Sequence, residues 1–200
     1  VDAPSSAGSF HRAAEVGPAG FERHVTLFRS ARLPQEFVVP VADSVRAARD
    51  VQHAQVARTF DTGVEGRTVF VSSEMSEGRA VSALLERSRR DSHPFAADHA
   101  LLIASKAAAA LEAAHAKRRL HGFLAPEFVH VTWDGEVTVR GFGLPPRALR
   151  EAGVIGDREA GFLAPEVFGS ASLDGRADVY SLGALLFEML ASAPLPRGKR

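Results

Sequence analysis

Residues 122–127 read GFLAPE, and residues 161–166 read GFLAPE again. The first copy follows His121 and runs into Phe128-Val129-His130; the second follows Ala160 and runs into Val167-Phe168-Gly169. A structural repeat carries its periodicity through units of about twenty or more residues. Here the identity stops at both ends, so these are two sites that read alike and need separate explanations.

The flanks of the two copies set the architecture. FVHVTWDGEVTV (128–139) has the alternation of a β-hairpin around the two-residue turn signal Asp134-Gly135. Upstream, Ala96–Arg118 is rich in Ala and Leu and free of Gly and Pro, which predicts a long helix. Downstream, Asp178–Leu190 is apolar on nearly every side, which predicts a helix in the middle of a domain. The first part of the chain differs. HVTLF (24–28) and RTVFVSS (67–73) have the β-branched and aromatic content of strands. VARTFDTGVEGRTVFV predicts two strands around turn residues Thr62-Gly63 and Glu65-Gly66. Apolar residues at Val41, Val45, Ala48 and Val51 mark one helix face, with Pro40 tolerable only in its first turn. Residues 1–9 are rich in Ser, Gly and Pro, which predicts a poorly ordered start. The pattern is α+β: a small β-rich part with one helix, then a larger helical part, with the boundary near Ser73–Gly78.

Composition limits the functions. The chain is 46% hydrophobic and 24% charged, a globular balance, with zero formal net charge. No basic field offers itself to nucleic acid or anionic lipid, so neither is an expected partner. Cysteine is absent, which excludes disulfides and thiolate chemistry and fits a reducing, cytoplasmic location. Ala100–Ala116 and Val179–Ala193 are too short to span a membrane and carry Lys106, Glu112 and Glu188. No signal-peptide pattern is visible. The start at Val1 rather than Met predicts an excised segment of a longer parent.

Several stretches in fixed order then carry a resemblance. They are GFERHVTLFRS (20–30), EGRAVSALLERS (77–88), HGFLAPEFVHV (121–131), VRGFGL (139–144), FLAPE (162–166) and DVYSLGALLFEML (178–190). Together they resemble the bacterial, eukaryotic-like (Hanks-type) serine/threonine protein kinases, over essentially the whole chain. The resemblance implies a two-lobed fold in a single domain, residues 1–73 forming the N-lobe and 74–200 a partial C-lobe. On this alignment the first GFLAPE is a degenerate catalytic loop, and the second is the intact end of the activation segment.

The departures matter as much. In the family, phosphoryl transfer relies on charges that position phosphate and metal. Phe28 falls at the third-strand lysine, Ser44 at the helix glutamate, Phe123 at the catalytic aspartate, Phe128 at the metal-binding asparagine and Gly141 at the metal-binding aspartate. Gly8, with Ser5, Ser6 and Phe10 nearby, is what remains of the glycine-rich loop. Residues 141–166 contain no Ser, Thr or Tyr, and Gly122 replaces the arginine that would read a loop phosphate. The landmarks kept are those of folding: His121 and Phe142 in the spine between the lobes, completed by Ala48 and Phe60 or Phe70, with Gly143, Glu166 and the buried acceptor Asp178. The family's usual partner for Glu166 would lie beyond Arg200, so either the parent chain continues or Glu166 has lost that partner, and an incomplete C-lobe with apolar surface over 179–193 is expected.

The resemblance and its departures together imply a catalytically inactive pseudokinase, not an enzyme. It would have no catalytic, cofactor-binding or metal-binding residue, no cofactor and no use for Mg-ATP. Its role would be in signalling, as a scaffolding, interaction or regulatory module for another protein or another part of the parent chain. One alternative is a sensor of a small molecule or nucleotide in a remodelled cleft beside Ser73, Glu74 and Met75. A third, ranked below both, is a divergent transferase. Phe28 and Phe123 would face each other across the cleft, with Phe128 deeper, and either plug it or turn into the cores of their own lobes.

Overall fold

The computed structural model describes residues 5–169 and 172–195. The poorly ordered start predicted for the first residues lies, over 1–4, outside the described residues. Strands β1 (Gly8–Val16) and β2 (Glu22–Ser30) form an antiparallel hairpin. Helix α1 (Gln35–Ala47) follows, then strands β3 (Thr59–Glu65) and β4 (Thr68–Glu74). Among the described residues these strands make one sheet in the order β1-β2-β4-β3. The second part contains β5 (Gly78–Ala80), α2 (Val81–Arg90), α3 (Ala97–Ala116), β6 (Val129–Thr132) and β7 (Val137–Val139). It ends with the short helices α4 (Pro146–Glu151) and α5 (Asp157–Ala160) and the long α6 (Gly175–Ala191). The two-lobed α+β expectation is borne out.

Local detail differs from expectation where tertiary context overrides propensity. Helix α1 begins at Gln35, so Pro40 sits inside it rather than in its first turn. The exposed face of the helix carries Pro40, so the Glu36 carbonyl deprived of a donor faces water. Val38, Val41, Ala42 and Val45 are buried at helical spacing and hold the helix against the sheet. Thr62-Gly63 is not a turn but mid-strand. The Phe70 ring lies over Gly63 so closely that a Cβ there would come within 2.2 Å of it. The reversal is at Gly66, where φ is +58°. Helix α6 is less enclosed than its composition alone suggests, and its exposed Val179, Tyr180, Phe187 and Leu190 are the apolar surface expected over 179–193.

The two GFLAPE copies fold alike only where proline dictates it. In each, the residue before proline is extended and proline opens a 3-10 turn, Pro126–Phe128 and Pro165–Phe168. Their glycines part company: Gly122 has φ +79°, and a side chain there would strike the Leu144 carbonyl at 2.7 Å, whereas Gly161 has an ordinary negative φ. The second copy is tied to α6 by the Ser181 hydroxyl, which donates to the Phe162 carbonyl at 2.6 Å.

Candidate functional site: a cleft between two lobes

Strand register builds the upper wall of the cleft. Phe10 lies opposite Phe28 and Phe28 opposite Val71; Arg12 lies opposite Thr26 and Thr26 opposite Ser73. Side chains alternate along a strand, so these six share one face, apolar at the inner end and polar at the outer. The inner end is filled by rings. Phe28 lies 5.0 Å from Phe10 between centroids, and Phe128 of the lower lobe touches both, at 6.2 Å and 5.6 Å. Phe123 meets Phe128 edge-on at 5.7 Å. All four rings are buried. The three phenylalanines expected in the cleft do come together, in a different order: Phe128, not Phe123, reaches the upper lobe. Phe10 is the partner the sequence reading did not place.

Glycines make room for this packing. A Cβ on Gly8 would come within 2.7 Å of the Phe28 ring, and one on Gly141 within 2.5 Å of the Phe128 ring. The ring of residue 128 thus occupies the space into which a side chain at 141 would project. At Gly143, where φ is +82°, a Cβ would strike the Ser44 carbonyl at 2.7 Å. The Ser44 hydroxyl in turn donates to the Gly143 carbonyl at 2.6 Å, which pins α1 to the 141–143 turn.

Beneath the rings, His121 packs against Phe142 at 4.8 Å and against Phe128 at 5.6 Å. Ala48 lies against Gly143. Of the two phenylalanines considered for the upper end of this column, Phe70 covers Gly63 and Phe60 lies under the Arg23 guanidinium. Asp178, fully buried, accepts hydrogen bonds from the backbone N–H groups of His121 (2.9 Å) and Gly122 (2.8 Å), and its carboxylate is 2.8 Å from Nε2 of His115. Burial alone would raise its pKa, but the His115 hydrogen bond and these amides hold it below the ordinary range. The same hydrogen bond raises the pKa of His115, whereas complete burial lowers that of His121. Neutral His121 then donates from Nε2 to the Arg140 carbonyl at 2.9 Å and accepts at Nδ1 from the Phe123 amide. Glu166 contributes its carbonyl, which accepts from Arg147 at 2.8 Å.

A second carboxyl escapes a reading by residue type. Glu127 is buried, close to Ser5 and Glu159, and burial followed by the Glu159 charge pushes its pKa up to about 7. Glu159 also accepts from the Ser6 amide at 2.9 Å, and the Gly156 amide donates to the Ser6 hydroxyl at 2.8 Å. The tip of the glycine-loop remnant is thus fastened to the segment before the second GFLAPE. A carboxyl with a raised pKa binds its proton more tightly folded than unfolded. The stability it contributes is full below the unfolded pKa and is lost as pH rises through about 7. His115, with its raised pKa, has the same sign, whereas His121, with its lowered pKa, has the opposite sign and contributes stability that grows as pH rises through the ordinary histidine range. Glu127 by itself is expected to contribute a fall of about 3 kcal/mol between the ordinary carboxyl range and pH above 7, which His121 partly offsets. Glu127→Gln should flatten most of that slope, as urea unfolding across the pH range will show.

Among the described residues no group of three or more His, Asp or Glu side chains is placed to hold a metal ion, and no helix is long and apolar enough to cross a membrane. Comparison with known proteins places this cleft in context. The protein kinase domain model matches residues 38–200. The serine/threonine-protein kinase PknL of Mycobacterium tuberculosis is 29% identical over 161 residues, covering 78% of this chain and 39% of that protein. PksC of Streptomyces coelicolor, also named a serine/threonine-protein kinase, is 31% identical over 156 residues, 72% of this chain and 28% of its own length. The chain therefore spans about two fifths or less of these relatives. The kinase domain of PknI from Mycobacterium tuberculosis superposes with a TM-score of 0.78 at 21% identity, covering 99% of this chain and 73% of that one.

These relatives correct the expectation that the chain is a pseudokinase and no enzyme. They are named protein kinases, and nothing in the match marks this chain as inactive. The physical reason is that a substituted position reports only on itself. Glu127 shows the gap in the inference, since it is a proton-exchanging carboxyl that no aligned position announced. The family model covers most of the chain in the order in which the lobes are built, and the chain belongs to the protein kinase domain family.

Proposed function

We propose that this chain is a regulatory or scaffolding domain of the kinase family, acting through contacts with another protein or with another part of its own polypeptide. The phosphate end of its cleft would be closed to Mg-ATP. The observation that carries this reading is the inter-lobe ring cluster. Phe28 and Phe128 stand at the positions where the family resemblance expects a phosphate-binding lysine and a metal-binding asparagine, and they touch each other across the cleft. A phenyl ring offers no charge to phosphate or Mg²⁺, and each buried ring stabilises the closed arrangement by about 1.5–3 kcal/mol. The exposed strip of Val179, Tyr180, Phe187 and Leu190 on α6 supports the contact role, because a contiguous apolar surface favours being covered. Calorimetric titration with ATP, up to millimolar concentration and with or without Mg²⁺, tests the closed cleft. No magnesium-dependent binding is expected; magnesium-dependent heat would overturn the reading.

A ligand-responsive role is a second reading, favoured by one observation. The outer end of the same cleft is open, as a cavity of about 570 Å³ beside Met75 and Ser76. That is within the size range of sites for small organic molecules.

A further inference from the structure

We propose that this outer cavity binds a small organic anion, a carboxylate, sulfonate or phosphate ester carried on an apolar body. The proposal rests on the ligand-responsive reading and gives its ligand a chemical class. Three guanidinium groups, Arg12, Arg79 and Arg140, and a single carboxylate, Glu86, line the cavity. The chain as a whole balances 24 basic against 24 acidic residues, so the excess is local. It is also arranged in depth. Arg140 is buried at the base, with its guanidinium 5.0 Å from the centroid of Phe10. Its backbone is fixed from both sides, its amide donating to the Phe128 carbonyl and its carbonyl accepting from His121.

At the mouth, Arg12 and Arg79 are exposed. Arg12 projects from the same face of the upper sheet as Phe10, two residues away, and so points toward the cleft. Arg79 belongs to β5 on the other side of the cleft, with its guanidinium 5.2 Å from the Trp133 ring. A ligand entering between these two strands meets charge from both lobes. Guanidinium groups suit planar, two-oxygen anions because their N–H groups form a fixed fork. The rest of the lining mixes apolar Phe10, Met75 and Ala83 with polar His11, Thr26, Ser76 and His130, so an organic body finds apolar contact that a bare ion could not use. The inner end of the cleft is occupied by Phe28 and Phe128, so recognition is confined to the outer part. Bound there, such an anion would bridge the two lobes.

The test uses naphthalene-1-sulfonate and its uncharged counterpart naphthalene-1-sulfonamide, titrated calorimetrically against the intact chain at low salt. The sulfonate is expected to bind about tenfold more tightly, the ratio for one charge-assisted hydrogen bond, and to weaken with added salt. Arg12→Gln and Arg79→Gln, both at exposed positions that the fold does not depend on, should each reduce its affinity about fivefold. Equal binding of the two compounds would overturn the anion class while leaving a ligand site in place. Binding of neither would overturn both this proposal and the ligand-responsive reading. A preference for sulfonate that survives both substitutions would place the site elsewhere and overturn the assignment to this cavity.

Discussion

Phe128→Ala is expected to destabilise the domain by about 3–5 kcal/mol, a large fraction of the roughly 5–15 kcal/mol typical of a folded domain. The ring is fully buried and touches Phe10, Phe28, His121 and Phe123. Removing it therefore costs the transfer of a phenyl group plus the contacts of four aromatic neighbours. Two of those neighbours belong to the upper lobe and two to the lower, so the cavity opens at the seam. Urea unfolding should show the lower midpoint. Hydrogen exchange should show that the amides of β1 and β2 lose more protection than those of α3, whose buried face rests on α6. Uniform loss across both lobes would mean that Phe128 is an ordinary core residue rather than a clasp. Phe28→Leu, which keeps much of the volume at the seam, should cost far less.

What was legible in the sequence, and what was not, follows the range of the interactions. Helix α3 and the β6–β7 hairpin depend on local propensity and a two-residue turn, and both are plain in the string. Landmark order alone carries the family roles that the resemblance implies for Phe28, Ser44, Phe123, Phe128 and Gly141. Which rings touch could not, because the Phe10–Phe28 pair is set by strand register and the Phe28–Phe128 contact by the closure of two lobes. The burial of Glu127 was hidden for a plainer reason. The same six letters at 122–127 and 161–166 end in Glu127, buried, and Glu166, which is not, and only their surroundings differ. The His115–Asp178 pair joins α3 to α6 across 63 residues, with no spacing to betray it. The arginines of the outer cavity lie in three separate strands or loops, and nothing in their order along the chain suggests that they converge.

Gly141→Asp, the change toward the residue that the resemblance implies there, should be as damaging as loss of the Phe128 ring. Gly141 has φ +85°, where a residue with a side chain pays about 1–2 kcal/mol. Its Cβ would also lie 2.5 Å from one Phe128 ring carbon and 2.8 Å from another, so the ring must move out of a packed cluster or the turn must shift. A half-buried carboxylate beside phenyl rings adds a desolvation cost. Together these predict a loss of about 3–5 kcal/mol, measurable by urea unfolding. The two positions are expected to be coupled. In Gly141→Asp/Phe128→Asn the overlapping ring is gone, so the double variant should lose less than the two single losses added, by about 1–3 kcal/mol. Simple additivity would assign the cost of Gly141→Asp to backbone conformation alone. Strong coupling would show that the ring at 128 and the bare backbone at 141 form one packing unit, so that changing either position alone breaks it.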